Sequence, residues 1–148
     1  MILKQIDNPY SVWGATKKKP PEGNGETNTQ GYFVGVFDEE KIAGAFLVKA
    51  WNENCYEIHG SVHPDYWGRG VEICEFMGRE LFLKTPCLKI VAVIPEFNRL
   101  MRRCVQKIGM EQEGIIKKSY LKNMKLYDMY VYGMTKMQYR KGGRLCLS

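Results

Sequence analysis

His63-Pro64-Asp65-Tyr66-Trp67-Gly68-Arg69-Gly70 joins an apolar, strand-like run, Cys55 to Val62, to a run of helical period, Val71 to Lys84. Two glycines one residue apart let main-chain N–H groups approach a neighbour closely, and the helix behind them adds the positive end of its dipole. A connection of this build suits a phosphate or another anion. Glycine also serves as a plain turn residue, and that reading stands beside the first.

Working outward, Tyr32–Phe37 and Ile42–Trp51 alternate as strands around a tight turn at Asp38–Lys41, and Asn52–Asn54 turns the chain into Cys55–Val62. Three consecutive strands make an antiparallel meander. In Val71–Lys84 the apolar positions Val71, Cys74, Met77, Leu81 and Phe82 recur at helical spacing. Leu88–Ile94 is a β-rich central strand, and Arg99–Lys107 is a second helix stopped at Ile108-Gly109 by a glycine C-cap. Glu111–Leu121 and Lys125–Met134 are the last strands, and Ile2–Ile6 the first. Between Asp7 and Gln30 only Tyr10–Thr16 supports a helical turn, because Pro20, Pro21, Gly23 and Gly25 break regular structure. The tail Tyr139–Ser148 shows no clear period. The order predicts an α+β (mixed α/β) fold in a single domain, 1–148, with a mixed central sheet, flanking helices and one β-α-β crossover.

The 148 residues suffice for one core. No apolar run reaches a membrane span, and Met1–Gln5 lacks the features of a signal peptide, so a cytoplasmic protein without membrane contact is expected. The five cysteines form no C-x-x-C pair and are read as reduced, mostly buried hydrophobes. On a strand, His59 and His63 stand about 13 Å apart, too far to share an ion, so no metal is expected. Net charge is +6, and from Arg99 onward twelve basic residues face three acidic ones. The basic residues are interleaved with apolar ones and fit a solvated face; no nucleic-acid reader motif accompanies them.

From about Tyr32 to Met134 the chain resembles the GNAT superfamily of acyl-CoA-dependent N-acyltransferases. Val62-His63-Pro64 matches the strand-end step of that family, and Gly68-Arg69-Gly70 the paired glycines of its loop. Asn98, followed eleven residues later by Gly109-Met110, matches its asparagine and Gly-Phe signature. Glu111–Ile115 and Asp128-Met129-Tyr130 follow in the family's order.

The resemblance implies acetyl-CoA as co-substrate, with the N–H groups of Trp67, Gly68, Arg69 and Gly70 on the pyrophosphate. Val62 would donate to the acyl carbonyl, and Asn98 would contact the pantetheine arm. It implies Glu57 as general base, with His63 and His59 as the other proton acceptors. Three departures stand out. Trp67 and Glu72 occupy positions where the family often has arginine and a small residue, with Arg69 placed to offset Glu72. Val105 stands where many members carry an acidic tyrosine, leaving Tyr120, Tyr127, Tyr130 or Tyr132 as substitutes. The family's acceptor-side helices are replaced by 7–30, and an open cleft suits a protein or peptide amine. The alternative is a non-catalytic GNAT-fold assembly protein, since the chain also looks somewhat like accessory and head-assembly proteins of tailed bacteriophages. Acyl-CoA, a protein partner and a second copy of the chain are the partners so implied.

Overall fold

A computed structural model describes residues 1–7, 9–13 and 31–141. Seven strands form one sheet: β1 (Ile2–Ile6), β2 (Gly31–Asp38), β3 (Lys41–Ala50), β4 (Cys55–Val62), β5 (Lys89–Pro95), β6 (Glu111–Lys122) and β7 (Lys125–Thr135). Their spatial order is β1-β2-β3-β4-β5-β7-β6. Every neighbouring pair is antiparallel except β4 and β5, which the crossover helix α2 (Gly70–Lys84) makes parallel. The remaining helices are α1 (Pro9–Trp13), α3 (Arg99–Lys107) and α4 (Lys136–Lys141). Mixed α+β architecture, meander and crossover all stand as the sequence implies.

The main core lies between the sheet and helices α2 and α3. Ile73, Met77, Leu81 and Phe82 of α2 meet Phe46, Val48 and Val62 of the strands, with Cys104 and Val105 of α3 closing the cluster. Full burial of each large side chain contributes about 1.5–3 kcal/mol. A smaller cluster, Trp13 with Ile42 and Ala45, sits apart from it. Because side chains alternate along a strand, Ile58 and Val62 turn toward the helices, while Glu57, His59 and Ser61 share the face of Ala45 and Trp13. Cys74, Cys87 and Cys104 are buried and Cys55 is half-buried, all with free thiols. Among the described residues, no helix is long and apolar enough to cross a membrane.

Two segments differ from expectation. The stretch after β4 is a 3₁₀ turn, Pro64–Arg69, running directly into α2. Pro64 suits the first position of such a turn, and the His63 ring caps it by accepting from the Asp65 N–H. The tail begins as a helix, not as irregular chain: α4 buries Tyr139 against Phe82, ring centroids 5.5 Å apart. Of the irregular interval 7–30, α1 holds Pro9–Trp13, and 14–30 lies outside the described residues, as does 142–148 of the tail.

Candidate functional site

The parallel pair β4–β5 holds together at Cys55–Lys89, Tyr56–Ile90 and Glu57–Val91, and no further. Beyond those residues β4 runs on to Val62 and β5 to Pro95, so the strands part. Hydrogen bonding to the outer neighbours shows which groups face the opening. The His63 N–H donates to the Ala43 carbonyl (2.8 Å), so Gly60 and Val62, in the alternate phase, direct their amides away from β3. On β5, Lys136 N–H to Leu88 C=O (2.9 Å) and Glu96 N–H to Asp128 C=O (3.0 Å) set the phase that turns Val93 toward the opening. The Val62 carbonyl is taken by the Trp67 indole N–H at 3.1 Å, which fixes the strand end from which the Gly60 and Val62 amides point into the opening.

At the head of the opening stand the two glycines. Neither has a left-handed backbone: Gly70 is right-handed helical, and among the described glycines only Gly109 has positive φ, 100°. A Cβ at Gly68 would meet nothing within 4 Å, and one at Gly70 only Val62 Cγ2 at 3.9 Å. The turn therefore needs glycine at neither position, for conformation or for internal packing. No side chain caps the start of α2, whose backbone continues directly from the 3₁₀ turn and adds the positive end of its dipole there.

Charge at this head is arranged around Arg69. Its guanidinium grips Glu72 through two 2.9 Å hydrogen bonds and reaches Asp38 at 3.4 Å. The pairing holds the Glu72 carboxyl below the usual carboxylate range and raises Arg69 further above its own. Asp38 also accepts from the Tyr66 hydroxyl at 3.3 Å. Glu72 is thus held by a cation on its own helix. A groove of about 670 Å³ continues along α2 between Arg69, Glu72, Phe76, Arg79 and Met1.

The proton-handling residues divide. The Glu57 carboxylate accepts from the His59 Nε2 and, at 2.9 Å, from the Trp51 indole. Both bonds lower the Glu57 pKa, the one from His59 most. The Glu57 side chain is 17% exposed and that of His59 34%, on the face away from α2 and α3. His63 is elsewhere occupied: Nδ1 accepts from the Asp65 N–H at 3.2 Å and Nε2 lies 3.2 Å from the Trp13 carbonyl. That pattern is a neutral ring protonated at Nε2.

Asn98 caps α3, its side-chain oxygen accepting from the Met101 N–H at 3.3 Å. Val105 is buried in the core. Of the tyrosines, Tyr132 is fully buried with its hydroxyl bound by Arg102 Nε at 3.0 Å, and the same guanidinium lies 3.9 Å over the Tyr130 ring. Tyr120 and Tyr127 pack edge-on against Phe97. Trp51, Asp38 and Arg102 belong to no motif. Only the β3–β4 register, Ala50 opposite Tyr56, signals that Trp51 reaches Glu57.

A mixed sheet that opens between parallel β4 and β5, with a glycine-bearing turn at the head of the crossover helix, is the GNAT acetyltransferase fold. Within it, the chain belongs to the family described as "Protein of unknown function (DUF2824)", whose model matches residues 13–144. A curated relative, an uncharacterized N-acetyltransferase YnaD of Bacillus subtilis (strain 168), is 29% identical over 114 residues, 72% of this chain. The chain spans 65% of that relative's length. Among solved structures, a GNAT-family acetyltransferase from Bacillus anthracis is 26% identical with a TM-score of 0.62, covering 74% of this chain and 68% of that one. Mutant forms of the spermidine/spermine N-acetyltransferase SpeG from Vibrio cholerae superpose with a TM-score of 0.69 at 15% identity, over 78% of this chain and 72% of theirs.

Proposed function

We propose that the chain transfers an acetyl group from acetyl-CoA to an amine, and that the acceptor amine belongs to a protein or peptide. The observation that carries this is the β4–β5 opening, into which the Val62 amide points, headed by two glycines that the fold itself does not need. The turn and the start of α2 hold the pyrophosphate, at Trp67, Gly68, Arg69 and Gly70, with Arg69 keeping Glu72 neutralised. Asn98 orders α3 through its oxygen and keeps its amide NH₂ for the pantetheine arm. The Val62 N–H stabilises the oxyanion that develops on the acyl carbonyl, a single-donor oxyanion hole.

On the other face, the His59 Nε2–H bond to Glu57 leaves Nδ1 as the proton acceptor. The pair takes the proton from the acceptor ammonium. The amine nitrogen then forms the new N–C bond as the C–S bond breaks, and the proton it sheds on becoming an amide passes through water to the departing thiolate, since Val105 supplies no hydroxyl. In this arrangement Glu57 acts as base through His59, while His63 positions the strand end by tying it to Trp13. Glu57 and the exposed indole of Trp51 form an anionic, aromatic patch suited to a cationic amine.

The buried Val105 favours a second reading, in which the protein binds acyl-CoA or a protein partner without turnover, as an assembly factor does. Calorimetric titration with acetyl-CoA, with adenosine diphosphate as control, followed by a thiol-release assay against peptide amines and polyamines, separates the readings. Micromolar binding that requires the pantetheine arm, with peptide-dependent thiol release, supports the first. Binding without release from any amine supports the second, and absence of binding at millimolar ligand removes both acyl-CoA roles.

A further inference from the structure

The β6–β7 hairpin closes one edge of the sheet. From Gly114 to Tyr127 it carries four lysines, Lys117, Lys118, Lys122 and Lys125, and no acidic residue. The same stretch exposes large aliphatic side chains: Leu121 at 65%, Leu126 at 52% and Met124, at the turn, at 94%. Scattered exposed aliphatics are ordinary, but a cluster at the end of one hairpin is not. Register puts Leu121 opposite Leu126 on one face, and Tyr120 opposite Tyr127 on the other.

The hairpin end is held firmly. Phe97 packs edge-on against Tyr120 and Tyr127, with ring centroids 5.5 and 4.9 Å away, and Lys122 lies 4.2 Å over the Phe97 ring. The Asp128 carboxylate accepts from the Lys118 amide at 2.8 Å. Asn123 and Met124 form the turn with φ of 50° and 65°. A turn of that geometry favours Asn-Gly, so methionine at the second position is an unfavourable choice for the fold. The outer edge is blunted by irregularities at Gln112/Gly114 and Ile116/Tyr120 and by the lysines, which disfavours strand addition there. The face and tip remain as the contact surface.

We propose that this hairpin docks an acidic protein surface, with Leu121, Met124 and Leu126 entering an apolar contact whose carboxylates pair with Lys117 and Lys118, while Lys122 and Lys125, on the Tyr120–Tyr127 face, add to the positive field around it. The lysines select an anionic partner, and a second copy would set four positive charges against four. The aliphatic side chains select protein over nucleic acid, whose surface is phosphate and sugar and whose interfaces are far more polar. The surface is independent of the β4–β5 opening and holds whether or not the chain turns over acetyl-CoA.

The test is fluorescence anisotropy of the full chain with a labelled peptide alternating glutamate and leucine. Glutamate–serine and lysine–leucine peptides and duplex DNA serve as comparisons. Salt-sensitive binding of the glutamate–leucine peptide alone is expected. It should weaken about tenfold in Leu121→Ser/Met124→Ser/Leu126→Ser and similarly in Lys117→Glu/Lys118→Glu, with acetyl-CoA titration unchanged. Met124→Ser alone touches only an exposed tip and controls for misfolding; it should weaken binding about threefold. Equal binding of the serine peptide, tighter binding of DNA, no peptide binding, or a dimer in sedimentation that the triple variant abolishes would each overturn the proposal.

Discussion

Replacing Gly68 and Gly70 separates a ligand-driven role for these glycines from a structural one. At Gly70, in the first turn of α2 with right-handed backbone and only Val62 Cγ2 within reach, alanine removes the helical penalty of glycine, about 0.5–1 kcal/mol. That corresponds to a Tm rise of about 1–4 °C in a chain of this size. Gly68→Ala, with open space around its Cβ, should leave Tm unchanged or slightly raised. If an acyl-CoA pyrophosphate rests against this surface, each methyl displaces it and sacrifices charge-assisted hydrogen bonds worth about 1.5–3 kcal/mol each. Acetyl-CoA binding should fall about tenfold to a hundredfold. Glutamate in place of alanine adds repulsion. At about 8 Å and an effective dielectric constant of about 40, each phosphate charge contributes about 1 kcal/mol, so two weaken binding by roughly a further thirtyfold. Calorimetry on the four variants, beside thermal melts, reads both quantities. Alanine variants that bind as tightly as the parent, with glutamate variants within about threefold, would refute the placement of the phosphates here.

Asn98→Ala removes the α3 cap and should cost about 1 kcal/mol of stability, whereas Asn98→Asp keeps the accepting oxygen. Both lose the amide NH₂, so both should weaken acetyl-CoA binding in calorimetry while only the first lowers Tm. Glu57→Gln should destabilise the protein at neutral pH. The His59 bond depresses the Glu57 pKa in the folded state, so this stability is present above the unfolded value of about 4.3 and fades as pH falls through the folded value. Urea melts of parent and variant should therefore converge in acid; a gap that stays constant with pH would show that the lost carboxylate charge is not its cause. Tyr139→Ala should destabilise by about 3 kcal/mol, measured by urea unfolding, because it empties a fully packed site against Phe82.

Much of the fold was legible because its signals are local. Cys55–Val62 and Arg99–Lys107 begin and end where apolar period and capping residues say they should. Other features carried signals that local period alone does not weigh. Thr135-Lys136-Met137-Gln138 is a capping box: the Thr135 N–H donates to Gln138 Oε1 at 2.8 Å and the Gln138 N–H to Thr135 Oγ1 at 3.1 Å. It starts α4 and so brings Tyr139 into the core, although the residues after it show no period. His63-Pro64-Asp65 likewise opens the 3₁₀ turn, with an acceptor, a fixed φ and an acidic residue in sequence. The Glu57–Trp51 bond was not legible from spacing, because it depends on the β3–β4 register.

The site's departures from the family pattern read differently once the side chains are placed. Trp67, in the position of a phosphate-binding arginine, spends its indole N–H on the Val62 carbonyl and so fixes the strand end whose amide faces the opening. Glu72, a carboxylate where a small residue is usual, is gripped by Arg69 three residues earlier, one helical step away. Each substitution is answered within the same turn of chain, and the pair Arg69–Glu72 must be changed together to be tested fairly. Arg69→Ala alone exposes Asp38 and Glu72 to the phosphates, and should weaken acetyl-CoA binding more than Arg69→Ala/Glu72→Ala does. If the single and double variants bind equally, Glu72 does not face the ligand, and Arg69 acts on the phosphates directly.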